Sequence, residues 1–306
     1  MPFQRGTKPI IWGIMFRCII IYFLLVQYSF SAQTFTVATY NVENYFLTAF
    51  ANRKAKAEDS RAKVVEAISS IKPDILVLQE IGRKEALEEL RQRLDKNGLR
   101  FSQAFFLEGA DPAIHLSVLS RFPVVGNHSK TNATYLLDGK RLQVRRGFVE
   151  IEIQVGSDYK FVLFSAHLKS MRQVALAEQS EMRLGEARVL RSLIEKRLEA
   201  NSNENILLMG DLNDAPSRDP IKVLMGSRSP KLVDLRPSEK KVGDELRRIT
   251  WTHFYKKEDQ YSRLDYIMAS RGMARELESA YIYTTPDWGV ASDHRPVVAR
   301  FVAKER

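Results

Sequence analysis

Apolar residues fall along most of the chain in short runs of about four to eight, separated by polar or turn-forming residues. The runs lie at 35–40, 75–78, 116–119, 148–155, 161–166, 206–209, 249–253, 264–268 and 297–301. Many are rich in β-branched and aromatic side chains, and the pattern predicts strands. Two other segments have helical spacing. Val64, Val65, Ile68 and Ile71 share one helical face, and Pro73 stops that helix before the next strand. From about 173 to 200, Leu184, Ala187, Leu190, Leu193, Ile194 and Leu198 line one side while charges fill the other. Helices thus alternate with strands, but some strands follow one another as hairpin neighbours. The expected class is α/β, with two mixed β-sheets packed face to face and flanked by helices.

The first 32 residues break this pattern. Arg5, Lys8 and Arg17 precede or interrupt an apolar stretch, Cys18-Ile19-Ile20-Ile21-Tyr22-Phe23-Leu24-Leu25-Val26 follows, and the small residues Ser29, Ser31 and Ala32 come last. Basic, apolar and small regions in this order predict a secretory signal peptide over 1–32 and a mature domain over 33–306. An uncleaved membrane anchor is the alternative, and it requires Arg17 to be tolerated within the span. Either reading exports the protein to the periplasm or beyond the cell. The single cysteine, Cys18, lies in this leader, so thiolate chemistry and cysteine-ligated zinc are excluded for the mature chain.

From Thr34 onward no repeat, low-complexity tract or long Pro/Gly linker separates parts of the 306-residue chain, and one domain is expected. The composition, 44% hydrophobic and 27% charged, is that of an ordinary globular protein. Lys and Arg number 47 against 37 Asp and Glu, giving +10; without the leader's three cations the balance is +7. A basic surface suits polyanions or an anionic surface, although it governs encounter rather than chemistry. The cations are densest at 141–146 and 240–248. Nothing in the pattern calls for assembly, and a monomer is expected.

Polar residues at the ends of apolar strands are the candidates for chemistry, because a sheet can hold them around one crevice. Asn41 and Glu43 follow the first run, Glu80 the second, and Asp211 and Asn213 the run at 206–209; Asp293 and His294 precede the last. Singly, each has a plain explanation as a turn former, helix cap or solvated acid. Jointly they supply carboxylate and amide oxygens for a hard cation such as Mg²⁺, beside a side chain suited to proton transfer near neutral pH. Asp211 and Asn213, two positions apart, share one side of an extended segment. His115 and His253, inside apolar runs, read as core or sheet-face residues, and His128 as a turn residue.

In order, Thr39-Tyr40-Asn41-Val42-Glu43-Asn44, Gln79-Glu80, Ser165-Ala166-His167-Leu168, Gly210-Asp211-Leu212-Asn213-Asp214, Arg263-Leu264-Asp265-Tyr266 and Ser292-Asp293-His294-Arg295-Pro296-Val297 resemble the serial motifs of the endonuclease/exonuclease/phosphatase superfamily. The resemblance covers 34–302. It implies a four-layered α/β sandwich with its site at one end of the two sheets, and hydrolysis of phosphoester bonds with Mg²⁺, which Mn²⁺ would replace. Glu80 resembles the principal metal ligand, with Asn41, Glu43 and Asp293 completing or adjoining the metal site. Asp211 would orient or deprotonate the attacking water, and Asn213 and His167 would bind the scissile phosphate. His294 would act as acid/base or transition-state stabiliser, oriented by Asp265. Whether Asp211 or His294 takes the water's proton stays open at this stage.

The superfamily includes nucleases, inositol-phosphate phosphatases and sphingomyelinases, so resemblance leaves the substrate open. The Trp-Cys-Asp-Arg type motif of the inositol-phosphate phosphatases is absent, and Arg263-Leu264-Asp265-Tyr266 stands in its place. Nucleic acid is the first expectation, favoured by the basic charge. A lipid or small phosphodiester is the second, with Tyr45-Phe46-Leu47 and the stretch 281–288 as candidate membrane-docking segments. A catalytically silent binding module is the third.

Overall fold

The computed structural model describes residues 1–2, 33–50, 52–239 and 249–304. The leader at 3–32 and the basic tract at 240–248 lie outside them. Among the described residues, no helix is long and apolar enough to cross a membrane. Ala32–Arg306 clusters as one compact unit.

The strands, in chain order, are β1 (Thr34–Tyr45), β2 (Ile75–Ile81), β3 (Gln103–Leu107), β4 (His115–Ser120), β5 (Val124–Asn127), β6 (Thr134–Leu137), β7 (Lys140–Gln143), β8 (Val149–Val155), β9 (Tyr159–His167), β10 (Ile206–Asp211), β11 (Leu232–Asp234), β12 (Ser238–Glu239), β13 (His253–Tyr255), β14 (Gln260–Ser262), β15 (Asp265–Ser270), β16 (Leu277–Ile282) and β17 (Val297–Val302). The helices are α1 (Glu58–Ile71), α2 (Lys84–Lys96), α3 (Gln179–Ala200), α4 (Asp219–Met225), α5 (Arg271–Ala274) and α6 (Trp288–Ala291). One sheet has the order β12-β16-β17-β1-β2-β4-β3 and the other β11-β15-β10-β9-β8-β5, while β6-β7 and β13-β14 are separate hairpins. Both large sheets mix directions: β1 runs parallel to β2 and β9 to β10, whereas β17 and β15 return antiparallel.

Alternation along each strand divides its side chains between two cores. Val37, Val77, Leu163, Met209, Ile267 and Ala299 meet between the sheets. Their neighbours on β1, β2 and β17, including Ala38, Leu76 and Val298, face Val64, Ile68, Leu90 and Leu94 of α1 and α2. On the other side Val162, Leu208 and Met268 face Ala187, Leu190 and Ile194 of α3. The result is a four-layered α/β sandwich, helix on sheet on sheet on helix. Strands covered on both faces read as continuous apolar runs, as observed here.

Two sequence expectations need correction, and one helix has no counterpart among them. Residues 249–252 are not a strand; Trp251 turns to pack on Tyr261 and Trp288, and the Thr252 hydroxyl is occupied by the backbone N–H groups of Leu264 and Asp265. The long helix starts at Gln179 rather than near 173, where Glu178 accepts from the Ser180 N–H, and Val174 and Leu176 are left exposed before it. Helix α2, hidden among charges, was not predicted, although Ala86, Leu87, Leu90 and Leu94 form its buried stripe.

Strands β9 and β10 approach closely at Gly210, whose φ is 145°; a Cβ built there would lie 2.0 Å from the Ala166 carbonyl oxygen. Gly210→Ala is therefore expected to destabilise the protein by at least about 2 kcal/mol, since it combines an unfavourable φ with a clash against backbone. A denaturant midpoint close to that of the parent would refute this account.

Candidate active site

The inter-sheet face that is apolar in mid-strand turns polar where the strands emerge. On β1, Val37 gives way to Thr39 and Asn41; on β2, Val77 to Gln79; on β9, Leu163 to Ser165 and His167; on β10, Met209 to Asp211. Pairing then sets these residues side by side, because Asp211 lies opposite His167 on one side and Asp265 on the other. Antiparallel β15 starts, and β17 is approached, at the same end of the sandwich. This is why Asp265 and His294 arrive beside residues that terminate parallel strands.

Asn41 is central. Its amide nitrogen lies 3.1 Å from Asp211 Oδ2, 3.5 Å from Glu80 Oε1 and 3.5 Å from His294 Nε2. Glu80 leaves the strand alternation through a left-handed φ of 63°, and its other oxygen accepts the Asn44 N–H at 3.0 Å. Glu43, Asn44 and Asn213 also have positive φ. Left-handed backbone at non-glycine residues is costly, and its concentration here marks a mouth shaped by more than folding. Ser292 donates to the Asn41 carbonyl and accepts the His294 N–H, while Glu43 accepts the Asp293 N–H at 3.1 Å. These contacts tie the 292–294 turn to the end of β1.

Two histidines flank Asp211. His167 Nε2 is 3.4 Å from Asp211 Oδ2 and 4.0 Å from Glu80 Oε1, and His294 Nε2 is 3.8 Å from Asp211 Oδ2. On its other edge, His294 Nδ1 contacts Asp265 Oδ2 at 2.8 Å. Asn213 donates to the Leu168 carbonyl at 3.0 Å, and its N–H is capped by Asp211 Oδ1. All nine residues singled out in the sequence therefore meet at one end of the sandwich.

Burial opposes charge on His294, but the Asp265 and Asp211 carboxylates outweigh it and hold the imidazole well above its ordinary pKa. Burial pushes Asp211 upward, with the Asp265 charge adding to the shift and His294 and Asn41 opposing it. His167 behaves in the opposite sense: burial, then the cations Arg146, His294 and Arg53, hold it well below the ordinary histidine value. One imidazole is thus kept protonated and the other neutral within one mouth.

Glu80, Glu43 and Asp293 offer carboxylate oxygens, while Asn41 turns its amide nitrogen to Glu80 and its Oδ1 accepts the Glu43 N–H at 3.0 Å. Asp293 is raised by burial and by the charges of Glu43 and Glu80, against His294 and Lys56. Lys56, which donates to the Glu43 carbonyl at 3.0 Å, is the cation set among them. Crowded carboxylate oxygens of this kind fit a hard divalent cation, which would relieve their repulsion.

Three neighbours were not singled out. Arg146, buried, donates to the same Leu168 carbonyl as Asn213, and so fixes the turn that follows His167. Lys56 lay in a charged loop with no distinguishing spacing. His253, read from sequence as a core or sheet-face residue, begins strand β13 and also packs on His294, with centroids 4.5 Å apart and ring planes at 47°, and its Nε2 is 3.8 Å from Asp293 Oδ2. The isolated bridge between His253 and His294 brings it there, a register invisible in the sequence.

The Asp265–His294 pair yields a titration prediction. Asp265 Oδ1 is buried without a partner, so His294 is the cation that neutralises it. Because the folded pKa of His294 lies above the ordinary value of about 6.5, the pair's stabilisation is complete below that pH and is lost as pH rises through the folded pKa. NMR of the metal-free protein should find His294 protonated at neutral pH and His253, pushed down to about 4 by burial and His294, neutral. Asp265→Asn should lower the His294 pKa; an unchanged value would refute the pairing.

A family model described as the Endonuclease/Exonuclease/phosphatase family matches residues 38–294. No curated protein matches. Among solved structures, the chain is similar to the catalytic domain of human Nocturnin, with 17% identity, TM-score 0.62 and coverage of 88% of this chain and 94% of that one. It is also similar to an endonuclease/exonuclease/phosphatase from Bacteroides vulgatus, with 14% identity, TM-score 0.64 and coverage of 89% and 100%. Sphingomyelinase C from Streptomyces griseocarneus follows, with 16% identity, TM-score 0.58 and coverage of 88% and 99%. The match over most of the length, with the sandwich and the cluster of acids and histidines at its mouth, means that this chain belongs to the endonuclease/exonuclease/phosphatase family and is a metal-dependent hydrolase of phosphoester bonds.

Proposed function

We propose that this hydrolase is an exported, Mg²⁺-dependent phosphodiesterase that acts as a monomer on nucleic acid. The observation that carries the chemistry is the convergence of Asn41, Glu80, His167, Asp211, Asp265 and His294 on one mouth. Export rests on the order of basic, apolar and small residues in the leader.

Glu80, Asn41, Glu43 and Asp293 would hold Mg²⁺, or Mn²⁺ in its place, which would absorb charge on the phosphate as the transition state forms. His167, neutral, and the Asn213 side-chain amide, through the hydrogen that the Leu168 carbonyl does not take, bind the scissile phosphate. Asp211 takes the proton of the attacking water. The Asp265 and Asp211 carboxylates favour the protonated imidazole of His294, which suits it to stabilise the developing charge and to protonate the leaving oxygen. Asp265 holds the imidazole in that orientation.

For the substrate, the rim carries the argument. Exposed Arg172, Lys256 and Lys257 lie within five residues of His167 or His253 in the sequence, and cations there suit a polyanion. The segments that would have suited a membrane are turned inward: Tyr45 and Phe46 are buried, and Trp288 packs on Trp251 and Phe254. One observation favours the second reading, a lipid phosphodiester. Just after His167, the loop before α3 exposes Met171, Val174 and Leu176, and a sphingomyelinase is among the similar structures.

Glu80→Ala should abolish Mg²⁺-dependent activity and leave the fold intact; full activity in excess chelator would sink the metal mechanism. His294→Ala should lower kcat by about a hundredfold or more with KM nearly kept, and Asp265→Asn should lower kcat less. The double variant should be little worse than His294→Ala, whereas independent roles would multiply the losses. Nicking of plasmid DNA that falls steeply with salt would support nucleic acid as substrate. Hydrolysis of a lipid or small diester, with DNA and RNA untouched at low salt, would overturn it.

A further inference from the structure

We propose that His253, Asp293 and His294 form a second metal site, one that takes a nitrogen-preferring transition ion such as Zn²⁺ and silences the enzyme while it is bound. The ligand atoms of the three residues all lie within 4.8 Å of one another. His253 Nε2 is 3.8 Å from Asp293 Oδ2, and His294 Nε2 is 3.9 Å from Asp293 Oδ1. Ligand atoms on one zinc, at bond lengths of about 2.0–2.2 Å, sit roughly 3.4 Å apart. Closing the site therefore takes side-chain shifts of about half an ångström to about one and a half ångström.

Main chain, not chance side-chain contact, brings the two rings together. His253 and His294 face each other across an isolated bridge, and the Phe254 N–H donates to the Asp293 carbonyl at 2.9 Å. The Asp265 carboxylate at His294 Nδ1 turns Nε2 toward the other two ligands, the arrangement that orients histidines on metals elsewhere. His253 Nδ1 is buried without a partner, so Nε2 is the edge this ring offers to a polar neighbour. The side chain of Asp293 is 41% exposed, which gives an ion a way in from solvent.

The donor set sorts the cations. Two imidazoles and one carboxylate suit Zn²⁺, Co²⁺ or Cu²⁺, whereas Mg²⁺ favours the all-oxygen group around Glu80. A transition ion on His294 Nε2 displaces the proton held there to solvent and occupies the nitrogen that would otherwise face the reacting phosphate, so inhibition follows from the geometry. The inference rests on Asp293 and His294 sharing the catalytic mouth, not on nucleic acid being the substrate, and its main readout is independent of hydrolysis.

Co²⁺ added to the whole protein in excess Mg²⁺ should bind at one ion per chain and give the visible absorption of a nitrogen-coordinated site. X-ray absorption of the zinc form should find two imidazoles on the ion. His253→Gln and His253→Phe, the second keeping a ring against His294, should lose the Co²⁺ bands and retain Mg²⁺-dependent turnover. The Zn²⁺ concentration for half-inhibition should rise at least about tenfold in both. The proposal is overturned if the parent shows no such bands or fewer than two imidazoles, or if the variants keep the bands and the zinc sensitivity.

Discussion

A buried hydrogen bond joins the two sheets at their open end: Asp265, the first residue of β15 in one sheet, to His294, which leads into β17 of the other. Both side chains are removed from water, and a charge so placed is tolerable only when paired and oriented. Asp265 is further fixed by its neighbours, since the Thr252 hydroxyl accepts its backbone N–H and that of Leu264. Once this pair is set, the remaining polar groups have little freedom. The other ring nitrogen must face Asp211 and Asn41, and Asn41 in turn must face Glu80.

The same constraint explains how a site so rich in charge coexists with a dry core. Each inward-facing row runs from large apolar side chains to polar ones within two or four residues, as in Val37, Thr39 and Asn41. Between the two lies a transitional layer in which Thr39 and Gln79 satisfy one another by hydrogen bonds. The floor of the reaction chamber is therefore the ceiling of the hydrophobic core. Rigidity at the mouth is inherited from packing below it, which suits chemistry that depends on preorganised charge.

Much of this was legible in the sequence because each residue of interest ends an apolar run. Asn41, Glu80, Asp211 and His294 could be marked on that ground, and the motif order united them. The division of each strand between two cores was not legible, since residues such as Leu207 and Leu208 are equally apolar though they face opposite layers. The place of His253 beside His294 was not legible for a related reason: it depends on a bridge to a residue far along the chain. Arg146 escaped notice because it acts through the carbonyl of Leu168, and a backbone acceptor leaves no trace in composition. The left-handed turn at Glu80 was equally hidden, because nothing but its geometry distinguishes it from any strand-end acid.

The rim differs in construction from the chamber it surrounds. The loop before α3 exposes Met171, Val174 and Leu176, and β14 exposes Tyr261, while the reacting groups are fastened to the sheets. Inheritance can act on the two separately. Lineages descending from a common ancestor can lengthen, shorten or recharge the rim and so take up new phosphoesters, without disturbing the strand ends that cut them.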